Sequence, residues 1–338
     1  MAKPHARKGN HEMTEGRQDE RAAGCAGIDP AAEQPRQCAR CEIPAANLLE
    51  SYRRVGSINH LEGKNLPSKR AVGVIARDLL RLLFPGFFDE RLPHADELET
   101  QVAILLHSVC QRLRDEITKS LRCSPACPAL PEVPSLAGVI TAEFLNTLPA
   151  VREVLQTDVE AAFQGDPASV AIDEVILAYP FVEAVAIQRL AHILYTKGVP
   201  LVPRIMTEYA HSRTGIDIHP GAEIGSHFYI DHGTGTVIGE TSRIGNHVKI
   251  YQSVGLIARS LSGGRLLHGK RRHPTLEDNV TVYAGATIMG GDTVVGAGST
   301  IGASVFLNRS VPANSLVINE EARIVVLQKR SDLADFQI

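Results

Sequence analysis

The chain has 338 residues, room for two or three domains at the usual ~100–200 residues each, and 44% of it is hydrophobic, enough for a sizeable core. Its 35 basic and 38 acidic residues leave a formal charge of −3, which excludes a mainly electrostatic nucleic-acid binder, because phosphate binding needs a basic stripe. Aromatics are only 5%, with no Trp, which argues against base-stacking platforms. No stretch approaches the roughly 18 apolar residues of a membrane span. The polar segment Met1–Glu20 lacks the apolar centre of a secretory signal, so the expectation is a cytoplasmic protein in a reducing compartment.

Residues 1–45, rich in charge, Pro, Gly and Ala without an apolar period, read as a mobile, disordered extension. The six cysteines (Cys25, Cys38, Cys41, Cys110, Cys123 and Cys127) all fall within the first 127 residues. Cys38/Cys41 and Cys123/Cys127 have spacings that a four-Cys zinc site can use. The pairs are 81 residues apart with no compact ribbon joining them, so reduced thiols and no metal are expected.

Residues 46–212 read as a helical domain. Asp96 and Glu99 are spaced like a capping box. After them Val102, Leu105, Leu106, Val109, Leu113, Ile117 and Leu121 mark one face at the helical period. A second stretch, 137–163, is interrupted near Pro149, and a third, 181–197, ends at Gly198-Val-Pro200, a C′ glycine followed by a proline stop.

From 213 to 318 the period becomes six: Ile218, Ile224 and Ile230; Ile238, Ile244, Ile250 and Leu256; Val282 and Ile288; Val295, Ile301 and Leu307. Gly225, Gly239, Gly245 and Gly302 follow several of them. A helix repeats at 3.6 and a strand at 2; a sustained Ile-Gly hexapeptide period is the signature of a parallel β-helix. The fold class is therefore α+β, an N-terminal all-helical domain followed by a parallel β-helix. Residues 319–338 form a polar C-terminal tail ending in Asp335-Phe-Gln-Ile338.

The register slips where the polar residues concentrate. Ile230 and Ile238 are eight apart, with the two extra residues inside Asp231-His232-Gly-Thr-Gly235. A long basic excursion, 259–272, precedes His273 and Pro274. A stacked repeat has little reason to interrupt itself unless the loop is used. His232 with Asp217 would suit a general base and its orienting carboxylate, because imidazole accepts a proton at neutral pH and a carboxylate steadies the imidazolium.

Asp217-Ile-His-Pro220, Asp231-His-Gly-Thr-Gly235, Gly239-Glu-Thr241 and Arg272-His-Pro274, in that order, with Gly165-Asp-Pro-Ala168 upstream, resemble the serine O-acetyltransferase family, over about residues 140–315. The run Arg204–Gly215 and the long loop are similar to its branch with an extended N-terminal region. The resemblance implies that the coils wind left-handed, an exception to the usual crossover rule, and that acetyl-CoA and L-serine give O-acetyl-L-serine and CoA, the first step of cysteine synthesis. It implies His232 as general base, Asp217 as its orienter and His273 supporting the hydroxyl and developing charge. Arg272 would take the serine carboxylate, Asp166 and Asp231 the ammonium, with Glu240 behind them. Direct attack would require no metal and no acyl-enzyme. Ala284, Gly285, Gly302 and Ala303 are the implied CoA contacts, though such small residues also suit tight β-helix turns.

The resemblance further implies a trimer or a dimer of trimers, feedback inhibition by L-cysteine, and insertion of the tail, through Ile338, into O-acetylserine sulfhydrylase. An extended peptide with a free carboxylate and an apolar last residue suits such capture. Val254-Gly-Leu-Ile257 departs from the family's Val-Thr-Leu-Gly, beside the acetyl-CoA pocket. The basic excursion would be either a solvated loop or a cover for CoA phosphates. Rival readings are a hexapeptide acetyltransferase acting on a sugar or other alcohol, a zinc carbonic anhydrase using His227 and His232, for which no suitable third His is found, and a non-catalytic scaffold.

Overall fold

The computed structural model describes residues 42–89, 96–124, 131–260, 262–267 and 269–320. The extension before residue 42, four of the six cysteines and the tail with Ile338 lie outside the described residues. Cys110 and Cys123 are free thiols. The chain divides into two units, residues 1–63 and 64–338. The first contains α1 (Glu42–Arg54).

The second unit opens with helices α2 (Lys69–Leu83), α3 (Leu98–Cys123), α4 (Val133–Asn146), α5 (Leu148–Gly165), α6 (Ile172–Ala178), α7 (Pro180–Thr196) and α8 (Val202–Thr214). Val109, Leu113, Ile117 and Leu121 of α3 are buried, whereas Val102, Leu105 and Leu106 are only half-buried. The capping-box expectation fails there: the helix starts at Leu98, its cap position is Glu97, and no side chain caps it. The interruption in 137–163 falls at Thr147, and Pro149 opens α5, where its missing N–H costs no helical bond. Helix α7 is apolar almost all round, and Phe181, Val185, Ile187, Leu190 and Leu194 are buried to within 1%. Its Gly198 takes φ +74°, the left-handed stop that glycine adopts without a Cβ penalty.

Fourteen short strands follow among the described residues: β1 (Asp217–Ile218), β2 (Glu223–Ile224), β3 (Tyr229–Asp231), β4 (Val237–Ile238), β5 (Arg243–Ile244), β6 (Lys249–Tyr251), β7 (Gly255–Ile257), β8 (Thr275–Leu276), β9 (Thr281–Val282), β10 (Thr287–Met289), β11 (Val294–Val295), β12 (Thr300–Ile301), β13 (Phe306–Leu307) and β14 (Leu316–Val317). They form three parallel sheets, β1-β4-β7-β10-β13, β2-β5-β8-β11 and β3-β6-β9-β12-β14. This is the three-faced parallel β-solenoid expected from the six-residue period. Ile218, Ile238, Leu256, Ile288 and Leu307 stack in one column. Ile224, Ile244, Leu276 and Val295 stack in the second, and Ile230, Ile250, Val282, Ile301 and Val317 in the third. Full burial of each such side chain is worth roughly 1.5–3 kcal/mol, so a strand slipped by one residue would turn its whole contribution to solvent.

Asp158 of α5 and Arg189 of α7 tie the helices to the first coil. Asp158 is 1% exposed and accepts Arg189 Nε and Nη2 at 2.8 and 2.9 Å and the Phe228 amide at 2.8 Å. Arg189 also donates to the carbonyls of Ile224 and Gly225. Burial pushes the Asp158 carboxyl up, against the pull of Arg189.

Candidate active site

The prism has three edges, and its candidate catalytic and binding residues gather on two of them. The first edge joins the β3 sheet to the β1 sheet. Its regular corner residue takes positive φ coil after coil: Gly235 (+79°), Ser253 (+60°), Gly285 (+71°) and Ser304 (+57°). Asp217 pairs with Val237, twenty positions on, whereas Val237 pairs with Gly255, eighteen on. The two extra residues of the first coil lie before this column. They place His232, itself at φ +58°, outside the regular turn, and its side chain is 75% exposed. The register slip thus presents an imidazole that the repeat would otherwise not carry.

Around His232 lie two carboxylates. Its Nε2 is 3.7 Å from Asp231 Oδ1, and Asp231 Oδ2 is 3.4 Å from Lys249 Nζ. Asp166, in the turn after α5, accepts the Ala168 amide at 2.8 Å and the Tyr179 hydroxyl at 2.5 Å. The Tyr179 bond, with that amide, holds the Asp166 carboxyl below the usual range, and the same bond pushes Tyr179 up to about 12. Asp217 is engaged differently: its Oδ1 accepts Arg204 Nη1 at 3.2 Å, and Arg204 also pairs with Glu208. Within one chain the carboxylate beside His232 is therefore that of Asp231. Glu208, His211 and Asp217 bring three possible metal ligands within 4.8 Å of one another, but Arg204 already supplies the positive charge there. Among the described residues no three histidines converge. His227 instead stacks on His247 at 4.0 Å, as corner residues of successive coils.

The second edge joins the β1 sheet to the β2 sheet and holds Glu240, Arg272 and His273. Thr241 Oγ1 accepts the amides of Arg272 (2.9 Å) and His273 (3.1 Å). The Thr241 amide donates to His273 Nδ1 at 3.1 Å, and the Thr241 hydroxyl lies 3.0 Å from the same nitrogen. With Nδ1 accepting, the proton of the neutral ring sits on Nε2. Burial, then the neighbouring Arg272, pushes His273 down to about 4, so at neutral pH it is an uncharged N–H donor. Glu240 accepts Tyr195 of α7 at 2.6 Å and pairs with Arg272. Burial raises its carboxyl, but the bonds from Tyr195 and Arg272 outweigh that and hold it low. His219 belongs to this cluster as a structural member: its Nδ1 accepts the Gly221 amide at 3.0 Å and its ring meets Tyr195 edge-on.

Ala284 and Gly285 lie between β9 and β10, and Gly302 and Ala303 between β12 and β13, on the same edge as His232 and further along the prism. The amides of Gly285 and Gly302 are spent on Gln252 and Val317 carbonyls, so toward a ligand these glycines offer Cα surface and close approach rather than N–H donors. The basic excursion folds back on the solenoid: Arg259 bonds the Asn308 carbonyl and Asp292, and Arg271 the Gly291 carbonyl. That fits the solvated-loop reading better than a cover for phosphates. A cavity of about 510 Å³ between α5, α7 and the first coil is lined by none of the candidate residues.

Tyr179, Tyr195 and Lys249 lie outside the sequence motifs, whereas Arg204 opens the run Arg204–Gly215. Thr241 lies inside Gly239-Glu-Thr241; Lys249 becomes visible only when β6 is stacked on β3, opposite Tyr229.

No family model matches the chain. It is 43% identical over 266 residues to the plasmid serine acetyltransferase of Synechococcus elongatus, spanning 76% of this chain and 83% of that one. The crystal structure of serine acetyltransferase isoform 3 from Entamoeba histolytica, in complex with cysteine, is similar at TM-score 0.66 and 31% identity, over 84% of this chain and 94% of that chain. Serine acetyltransferase 1 of the same organism, in complex with L-cysteine, is similar at TM-score 0.64 and 32% identity, over 81% and 97%.

Proposed function

This chain belongs to the serine acetyltransferase family, and from that membership we propose that its two edge clusters, brought together across a subunit interface, transfer an acetyl group from acetyl-CoA to the hydroxyl of L-serine. One observation carries the reading: His232 and Asp231 lie on one edge of the prism, with Asp166 of the helical layer near them, and Arg272, His273 and Glu240 lie on another. A heterologous contact in a closed ring sets different patches of the same surface against each other, so a trimer of parallel prisms would pair the first edge of one subunit with the second edge of its neighbour. Ala284 and Gly302, on the edge of His232, would then border acetyl-CoA in the groove between subunits.

In this site Asp166 and Asp231 receive the serine ammonium, and Arg272, released from or shared with Glu240, receives the carboxylate. His232 takes the hydroxyl proton as the oxygen attacks the thioester carbonyl. The C–S bond then breaks, and the thiolate of CoA recovers the proton from His232. His273, as a neutral Nε2–H donor, stabilises the oxygen on which charge develops. The base is asked for roughly 10²–10⁴-fold in rate. L-Cysteine, matching serine in size and charge, would occupy the same ammonium and carboxylate groups as a feedback inhibitor, in line with the cysteine-bound relatives. No single described helix is long and apolar enough to cross a membrane, and we place the reaction in the cytoplasm.

Release of CoA thiol is the test, with L-serine among an acceptor panel that includes sugars. Serine should be strongly preferred, and His232→Ala and His273→Ala should each lose most of the rate. Co-assembly of the two variants distinguishes a shared site: random mixing restores about one quarter of the intersubunit sites if the edges meet in a ring. No recovery in verified mixed oligomers overturns the shared site, and a preferred sugar overturns the substrate.

A further inference from the structure

Asp166 is presented by the helical layer and Asp231 by the solenoid, and both are to meet one ammonium. Two carboxylates so placed repel, and such a pair ordinarily relieves itself by binding a proton. Lys249 stands between them. It projects from β6, and its Nζ donates to the Gly165 carbonyl at 2.8 Å and lies 3.4 Å from Asp231 Oδ2. The Tyr229 and Tyr251 rings face it at 4.9 and 4.7 Å. A carbonyl, a carboxylate and two π faces are what an ammonium seeks. Burial works against the charge on Lys249, yet Tyr251 and Asp231 outweigh it and its pKa is raised.

We propose that Lys249 is a positioning residue of the serine site: its ammonium bolts the Gly165–Asp166 turn to Asp231 and offsets the repulsion of the two carboxylates before serine arrives. The geometry supports both parts. One side chain spans the two layers, and its charge lies against Asp231 and favours the ionised form of Asp166. The charged and titratable groups around Asp166 are Tyr179, Lys249 and His232. Those around Asp231 are His232, Lys249, Tyr229 and, further off, Tyr179; Tyr251 lies against Lys249, and Glu174 stands near Tyr179. His232 must be uncharged to act as a base, which leaves Lys249 as the standing cation among the described residues of this cluster.

The inference rests on Asp166 and Asp231 as the ammonium's receivers, and the experiment separates the two. Lys249→Gln keeps a donor and loses the charge. The acid limb of its kcat/KM profile for L-serine should move up by about half a pH unit or more. KM for serine should rise about threefold or more, the same shift expressed as a ratio, with KM for acetyl-CoA little changed. Lys249→Arg should leave the limb in place. In an Asp231→Asn background, where the repulsion is gone, Lys249→Gln should fold and leave the limb where that background sets it. An unmoved limb, an equal change in both KM values, or failure of the double variant to fold reduces Lys249 to a structural contact and overturns the proposal. If Asp166→Asn and Asp231→Asn leave serine KM unchanged, the ammonium assignment itself falls. If they raise it while Lys249→Gln does not, only the role of Lys249 falls.

Discussion

Gly239 bears directly on His273. A Cβ at 239 would lie 2.0 Å from His273 Cδ2 and 2.1 Å from Nε2. Ordinary contact begins near 3.4 Å, so in Gly239→Ala the ring must retreat by about 1.4 Å. It has little freedom to do so, because it is 8% exposed and its Nδ1 is held by the Thr241 amide and hydroxyl. A shift of that size stretches both contacts beyond hydrogen-bond range. Overpacking of this kind costs about 1–3 kcal/mol, and a misplacement of ~1 Å at a reacting centre can cost about 10²-fold in rate. Gly239→Ala should therefore lose about two orders of magnitude in kcat for CoA release while Tm falls only modestly. The decisive control is Gly239→Ala with His273→Ala. With the ring gone the methyl has room, so the double variant should match His273→Ala alone. Activity within twofold of wild type, or losses that add in the double variant, would refute the reasoning.

His273 also sets a pH dependence of stability. Its folded value is pushed down to about 4, whereas a free imidazole titrates near ~6.5. The unfolded chain therefore binds the proton first: the contribution is complete above about pH 6.5 and is lost as pH falls toward 4, reaching about 2 kcal/mol by pH 5. Denaturant midpoints at pH 7.5 and 5 should lie closer together in His273→Asn than in wild type; an equal gap would remove burial as the cause. Arg189→Met leaves the Asp158 charge buried and should cost about 3–5 kcal/mol, read as a lower midpoint of urea unfolding with the far-ultraviolet spectrum retained; a loss below 1 kcal/mol would show that the pair is not what ties the helices to the first coil. At Gly255 a Cβ would meet nothing closer than 3.6 Å, so Gly255→Ala should fold and gain about 0.5–1 kcal/mol from the removal of a strand glycine; a lower Tm would contradict the space seen there.

The inward columns of the solenoid were legible in the sequence because a six-residue step places one apolar side chain on the same face at every turn, and burial enforces that register. The two breaks were legible for the same reason: a strict period makes an insertion visible, and His232, Arg272 and His273 stand at the insertions. The helix boundaries were less so, since Asp96 satisfies the cap pattern while the chain enters α3 a residue later, and nothing local decides between those starts. The sequence alone determined the fold class and the residue types that carry the chemistry. Only the tertiary structure decided which of them meet. Asp217 and His232 look like partners when the chain is read in order, yet Arg204 holds Asp217 and Asp231 faces His232, because Arg204 comes from a helix whose packing angle no periodicity encodes. Lys249 is ordinary in the sequence, one polar residue on a β-strand. It reaches Gly165, 84 positions away, because the solenoid face bearing β6 is the one on which the end of α5 rests.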